Sequence, residues 1–214
     1  MNSIAQILKN APYLLVAAIF LTGCGQERSD APARASPQSA FVDRLSALCG
    51  KAFSGRLVSQ DAADDDFKGK PMMMHVARCD EGELHIPFHV GAEKDGEWNR
   101  SRTWILTRTA DGIRLKHRHR HEDGTLDTVT NYGGDTASEG SAKRQEFPVD
   151  AESIALFKAN KLEQSVTNIW AMEIDKDRFA YELRRPKEAG GRFFRVEFDL
   201  SKPVKVPPPA WDEE

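Results

Sequence analysis

Residues 102–121 read RTWILTRTADGIRLKHRHRH, two runs of alternating side chains on either side of Ala110-Asp111-Gly112. A period of two belongs to a β-strand, whose successive side chains point to opposite faces. The Asp-Gly pair supplies the left-handed position that a tight hairpin turn requires. The stretch therefore predicts two antiparallel strands, 102–109 and 113–121, and the same signal continues on both sides of it.

Downstream, Glu122-Asp123-Gly124 marks a second turn into a strand over 125–132, which Gly133-Gly134 ends, so three strands form a meander. A strand over 142–147 follows. Asp150 then caps a helix containing Ile154, Ala155, Phe157 and Leu162, with Glu152 in its first turn. Residues 166–174, 179–185 and 192–200 alternate again: Trp170, Met172, Phe179, Tyr181, Phe194 and Val196 share the apolar face, and Glu173, Glu182, Arg195 and Glu197 the other. Upstream, Ser39 heads a helical spacing of Phe41, Val42, Leu45 and Leu48 that Gly50 ends. Leu57 starts a strand, residues 72–79 form a second, and residues 83–90 form a third, in which Pro87 implies an edge or a bulge.

Strands with one apolar face, joined by short turns, predict a mainly β fold. We expect an antiparallel meander of roughly eight to ten strands rolled into a barrel, with an N-terminal helix and one inserted helix. The arrangement resembles calycin-type barrels such as the lipocalins, although the lipocalin G-x-W near the first strand is missing. No internal repeat is evident, which argues against a propeller. The 214 residues, 40% hydrophobic and 29% charged, suit one globular domain and exclude collagenous, multi-span membrane and wholly disordered chains. A net charge of -3 argues against nucleic acid as a partner.

The first residues carry Lys9 and an apolar run over 11–21 that is too short to span a bilayer comfortably. Leu21-Thr22-Gly23-Cys24 resembles the bacterial lipobox. The resemblance implies a signal peptide over 1–23, cleavage before Cys24, a diacylglycerol on its thiol and an acyl chain such as palmitate on its new amine. A multiply acylated protein is held firmly to a membrane. Gly25, where an Asp would favour retention at the inner membrane, implies the outer membrane, facing the periplasm. Residues 24–39 then read as a lipidated Cys and flexible tether, 40–206 as a single β-rich domain, and 207–214 as a Pro-rich tail.

Cys49 and Cys79 remain as a pair in a chain bound for an oxidising compartment, so a disulfide is expected. Neither belongs to a C-x-x-C pattern, which argues against thioredoxin-like chemistry.

His117, His119 and His121 fall on one strand face in line with Ile113 and Leu115, so an inward apolar pair brings the histidines inward too. Imidazoles two residues apart can share an ion, but the first and third, about 13 Å apart, cannot. A metal site therefore needs His117 and His119 plus a ligand such as Glu122 or Asp123, with zinc, copper or iron as candidate ions. The cupin H-x-H pattern is not matched, because Glu122 comes one residue too early and no His follows His121. The alternative is that the imidazoles hydrogen-bond Thr103, Ser101 or carboxylates across the hairpin. Met73, His75, His85 and His89 form a second candidate, with soft and imidazole ligands suited to copper, against the alternative of core-filling methionines.

Arg102, Arg114, Lys116, Arg118 and Arg120, with Arg100 and Arg108, make one hairpin basic, and Trp104 and Leu106 share the expected face. Such a face suits an anionic envelope component, against the alternative of pairing with Glu173, Glu182, Glu197 and Asp199. No G-x-S-x-G elbow, P-loop, H-E-x-x-H or G-x-G-x-x-G is present, and a triad through Ser101 and His119 has no local signature. The sequence therefore reads as a membrane-anchored lipoprotein that binds a small ligand or an anionic envelope partner without catalysis. The alternatives are a His-rich metal-binding protein or metal-dependent enzyme, and a structural or assembly lipoprotein.

Overall fold

A computed structural model of the protein describes residues 35–91 and 97–211; the lipobox, Cys24 and the signal segment lie outside the described residues. Among the described residues, alternation drives eleven strands into one antiparallel sheet: β1 (Ala52–Leu57), β2 (Met72–His75), β3 (Arg78–Asp80), β4 (Glu83–Gly91), β5 (Trp98–Thr109), β6 (Gly112–His119), β7 (Tyr132–Asp135), β8 (Arg144–Pro148), β9 (Ile169–Ile174), β10 (Arg178–Arg185) and β11 (Arg192–Val204). Most chain neighbours pair with each other, β2 pairs with β4, β3 pairs with β4 off the main path, and β1 pairs with β11, so the meander curls round on itself. At the remaining seam, between β7 and β8, the Asp150 N–H donates to the Gly133 carbonyl at 3.0 Å. The result is the expected mainly β, nearly closed antiparallel barrel.

The inward residues Leu84, Ile86, Phe88, Trp104, Leu106, Leu115, Trp170, Met172, Phe179 and Phe198 form a continuous buried core. Each large apolar side chain buried in this way stabilises the fold by about 1.5–3 kcal/mol. Two helices complete the barrel. Helix α1 (Pro37–Ser46) is capped by Ser36, whose hydroxyl accepts the Ser39 N–H at 3.0 Å, and it buries Phe41, Val42 and Leu45. Arg108 near the β5–β6 turn reaches Asp43 of α1 at 2.5 Å, so α1 lies at that end of the barrel. The Cys49–Cys79 disulfide ties the turn after α1 to β3. Helix α2 (Ala151–Ala159) is capped by Asp150 as expected and lies over the seam, where Ser153 Oγ accepts the Gly133 N–H at 2.7 Å. Among the described residues no helix is long and apolar enough to cross a membrane.

Several boundaries differ from those read in the sequence. The strand expected over 125–132 is instead Tyr132–Asp135, with Gly133-Gly134 inside it rather than ending it. A Cβ on Gly133 would fall 1.8 Å from the Leu115 carbonyl oxygen, and one on Gly134 would fall 1.7 Å from that of Pro148. Glycine is thus needed here for backbone proximity at the closing seam. Leu57 ends β1 rather than starting a strand, and 72–79 is two strands broken at Val76 and Ala77. That break explains Pro87: it sits in an interior strand, but opposite the gap between β2 and β3, where its missing N–H leaves no ladder bond unmade. Helix α1 starts at Pro37, inside the segment read as tether. The Pro-rich tail packs along the barrel: Pro207 and Ala210 are buried, and the Trp211 N–H donates to the Arg100 carbonyl at 3.2 Å.

Candidate functional site

The two-residue turn pairs Thr109 with Gly112, and this register places Leu106 opposite Leu115, Trp104 opposite His117 and Arg102 opposite His119. Directly paired residues of antiparallel strands share a face. Arg102, Trp104, His117 and His119 therefore all point into the barrel. Tyr181 of β10 and Tyr132 of β7 converge on them. A 3-10 helix, Ala62–Phe67, lays Phe67 across the opening, with its ring 5.0 Å from Phe194 and 6.5 Å from Phe88. Between these groups lies a cavity of about 140 Å³.

Its walls are flat and aromatic. Phe88 stacks on Trp104 at 4.9 Å, and Trp104 stacks on Tyr181 at 4.5 Å. Its polar groups are few and oriented. His117 Nδ1 lies 3.1 Å from the Tyr132 carbonyl and its Nε2 lies 2.7 Å from the Tyr181 hydroxyl, so both ring nitrogens are engaged. The Tyr132 hydroxyl lies 3.1 Å from His119 Nε2. Burial pushes the His117 pKa down to about 3, and burial with the nearby Arg102 charge pushes His119 down to about 4. Burial also pushes Tyr132 up to about 12, and Tyr181 well above its ordinary value. All four are neutral at neutral pH, which leaves the cavity its two arginines as charged lining groups. Arg192 answers Asp61 at 3.2 Å and Asp64 of the 3-10 helix. Arg102 donates to Asn99 Oδ1 at 2.9 Å and to Ser101 Oγ at 3.1 Å, with its guanidinium 5.6 Å from the centre of the Phe67 ring.

Only part of the expected metal set comes together. His117 and His119 face the lumen as predicted, but Glu122 is exposed and lines a separate surface hollow with Trp98 and Trp211. Among the described residues no group of three or more His, Cys, Asp or Glu side chains is placed to hold an ion. Met73 and His89 are cross-strand partners on the outer face of the sheet, where His89 Nε2 meets the Pro208 carbonyl at 3.0 Å and His85 Nε2 meets Glu83 at 2.8 Å. The Ser101 hydroxyl lies 2.6 Å from Asn99 while His119 meets Tyr132, so the hydroxyl–imidazole pair of a triad does not form.

The basic face divides. Arg102, Trp104 and Leu106 turn inward, whereas Arg114, Lys116, Arg118 and Arg120 belong to the outer side or the strand end. On the outer side Arg114 binds Asp135 in a two-bond fork, and Lys116 meets Asp150 and Glu152 at 2.9 and 2.7 Å. Arg120 donates to the Gly124 carbonyl. Glu173, Glu182 and Glu197, expected as partners of the hairpin, pair instead with Arg144 and Arg195 on β8 and β11. Lumen residues that sequence reasoning did not assign to a site include Phe67, Tyr132, Tyr181 and Arg192. Tyr181 carried a usable signal, because a tyrosine on an apolar face brings a hydroxyl that needs a buried partner.

No family model matches the chain, and no curated protein matches it. Two solved structures are similar to it. One is a redesigned beta barrel at 8% identity, covering 74% of this chain and 96% of that one with a TM-score of 0.32. The other is the siderocalin Ex-FABP, described as functioning through dual ligand specificities, at 15% identity, covering 75% of this chain and 77% of that one, also with a TM-score of 0.32.

Proposed function

We propose that this protein binds a small, largely apolar ligand inside its barrel, and that it does so as an exported lipoprotein held to the membrane through Cys24. The observation that carries the binding role is the aromatic cavity itself. A barrel core selected for stability alone fills its interior to near crystal density. Here six aromatic side chains and five polar ones surround about 140 Å³ of open volume instead. An apolar cavity of about 150 Å³ accommodates a benzene-sized guest. The hydroxyl and imidazole groups of the lumen bond to one another, which supports a binding role for the cavity.

The test of binding is titration of the protein with toluene, followed by the amide resonances of β5, β6 and β10. Saturable shifts confined to lumen residues are expected, and Leu183→Trp, which places an indole in the cavity, should abolish them. No shifts, or shifts spread over the outer surface, would overturn the binding role. The anchoring rests on the Leu21-Thr22-Gly23-Cys24 motif. Labelled palmitate should enter the wild-type chain and not Cys24→Ser, which should appear in the soluble fraction. Equal membrane association of the two would overturn it.

A further inference from the structure

Arg102 has no ion-pair partner among the described residues; Asp66 and Asp127 act on it only through space. Arg114, Arg144, Arg192 and Arg195 each face a carboxylate, but among the described residues Arg102 is paired with none; its hydrogen bonds go to the neutral oxygens of Asn99 and Ser101. It is also half-buried, lining the aromatic cavity with Phe67 against one side. Burying a charge in this way costs several kcal/mol unless something answers it. Burial does draw the Arg102 pKa below its ordinary value, but a guanidinium remains charged at any physiological pH. A charge kept there against that cost has a use when a ligand supplies its partner.

Resting on the binding role proposed above, we infer that the ligand is a small organic monocarboxylate, its carboxylate forked on Arg102 and its flat apolar body against the walls formed by Trp104, Tyr181 and Phe194. The guanidinium is planar and presents paired N–H donors that match a carboxylate in two parallel bonds. One positive charge with no carboxylate in contact has room for one negative charge beside it. The second arginine, Arg192, is already matched by Asp61 and Asp64, so a dianion would leave a charge unpaired. The aromatic walls disfavour a fully hydrated anion, because His117, His119, Tyr181 and Arg192 already have partners within the protein.

The experiment is calorimetric titration of the full chain at pH 7.5 with four probes: benzoate, toluene, benzylamine and inorganic phosphate. Benzoate should bind at least tenfold more tightly than toluene, while benzylammonium and phosphate should not bind. Arg102→Met should weaken benzoate at least tenfold and leave toluene within about twofold. The wild-type ranking needs no variant, so the inference stays testable even if Arg102→Met fails to fold. Toluene bound as well as benzoate, or benzylammonium accepted, would overturn the inference and leave the cavity reading standing. Binding of none of the four would remove both.

Discussion

The Tyr181 hydroxyl sits 2.7 Å from Nε2 of His117, and both side chains are buried. The other ring nitrogen of His117 faces the Tyr132 carbonyl, which can only accept. The neutral imidazole therefore carries its proton on Nδ1, and Tyr181 donates to Nε2. One contact thus specifies a tautomer, fixes a ring in the cavity wall and leaves no lone pair for a metal ion.

A pH dependence follows from the neutral imidazoles. Burial holds His117 at about 3 and His119 at about 4, against an ordinary value of 6.5. As pH falls below 6.5 the unfolded chain takes up these protons while the folded chain does not, so stability that is fully present above 6.5 is lost toward pH 4. Urea midpoints should be flat between pH 8 and 7, then fall by up to about 1.4 kcal/mol per pH unit for each histidine. His117→Gln should remove about half of that slope, since one of the two protons is gone. A midpoint unchanged between pH 7 and 5 would show that neither ring is held neutral.

The seam makes a different prediction. An added Cβ would meet backbone at 1.8 Å on Gly133 and at 1.7 Å on Gly134, whereas at Gly82 it would meet nothing within 4 Å. Gly134→Ala should lower stability by more than about 4 kcal/mol, because backbone on two strands must separate. Gly82→Ala, at a turn with φ of 88°, should cost only the left-handed conformation, about 1–2 kcal/mol. Thermal melts of the two variants side by side decide it; comparable losses would mean that the β7–β8 seam is not held by close backbone approach.

These positions also show what a sequence can disclose. The strands around 102–121 were legible because burial on one face imposes a period of two, and the inward turn of His117 and His119 followed from Ile113 and Leu115. The same turn held the parity that puts Arg102 opposite His119, yet charge content grouped Arg102 with the other basic residues of the hairpin in the sequence reading. Gly133-Gly134 was read as a stop because the common role of glycine is punctuation; its role here depends on the Leu115 carbonyl of β6 and the Pro148 carbonyl of β8, which local pattern does not reveal. Phe67 lies in a short 3-10 helix with no periodic signal, so its place over the cavity is visible only in three dimensions.

The disulfide should matter for stability and not for the lumen. Cys49 follows α1, and Cys79 is paired in register beside Leu84, whose β5 partner is Leu106, toward the α1 end of the barrel. Closing a loop of 30 residues in sequence stabilises by about 3–4 kcal/mol on the chain-entropy account. Cys49→Ser with Cys79→Ser should lower the urea midpoint accordingly. At temperatures where this variant remains folded, its toluene shifts should match the wild type; their loss would mean that the bridge also shapes the cavity.

Asp64 is fully buried, accepts the Ser59 hydroxyl at 2.6 Å and pairs with Arg192, while Ser59 Oγ in turn accepts the Arg195 N–H at 3.0 Å. The 3-10 helix that carries Phe67 is thereby fastened to β11 through one carboxylate. Asp64→Asn keeps the size and the hydrogen bond to Ser59 but removes the charge that answers Arg192. Removing one member of a buried ion pair costs about 3 kcal/mol where the other charge is left unanswered; Arg192 keeps Asp61 at 3.2 Å, so the loss should stay below that figure. That loss should be concentrated where the carboxylate acts. Hydrogen exchange at the Lys68 amide, which donates to the Asp64 carbonyl at 3.2 Å, should accelerate more than exchange in the β5–β6 ladder. Faster exchange at Lys68 with an unchanged ladder would identify the 3-10 helix as a separately opening cover over the cavity. Equal acceleration at both would instead make Asp64 a support of the whole barrel, with Phe67 moving only when everything else does.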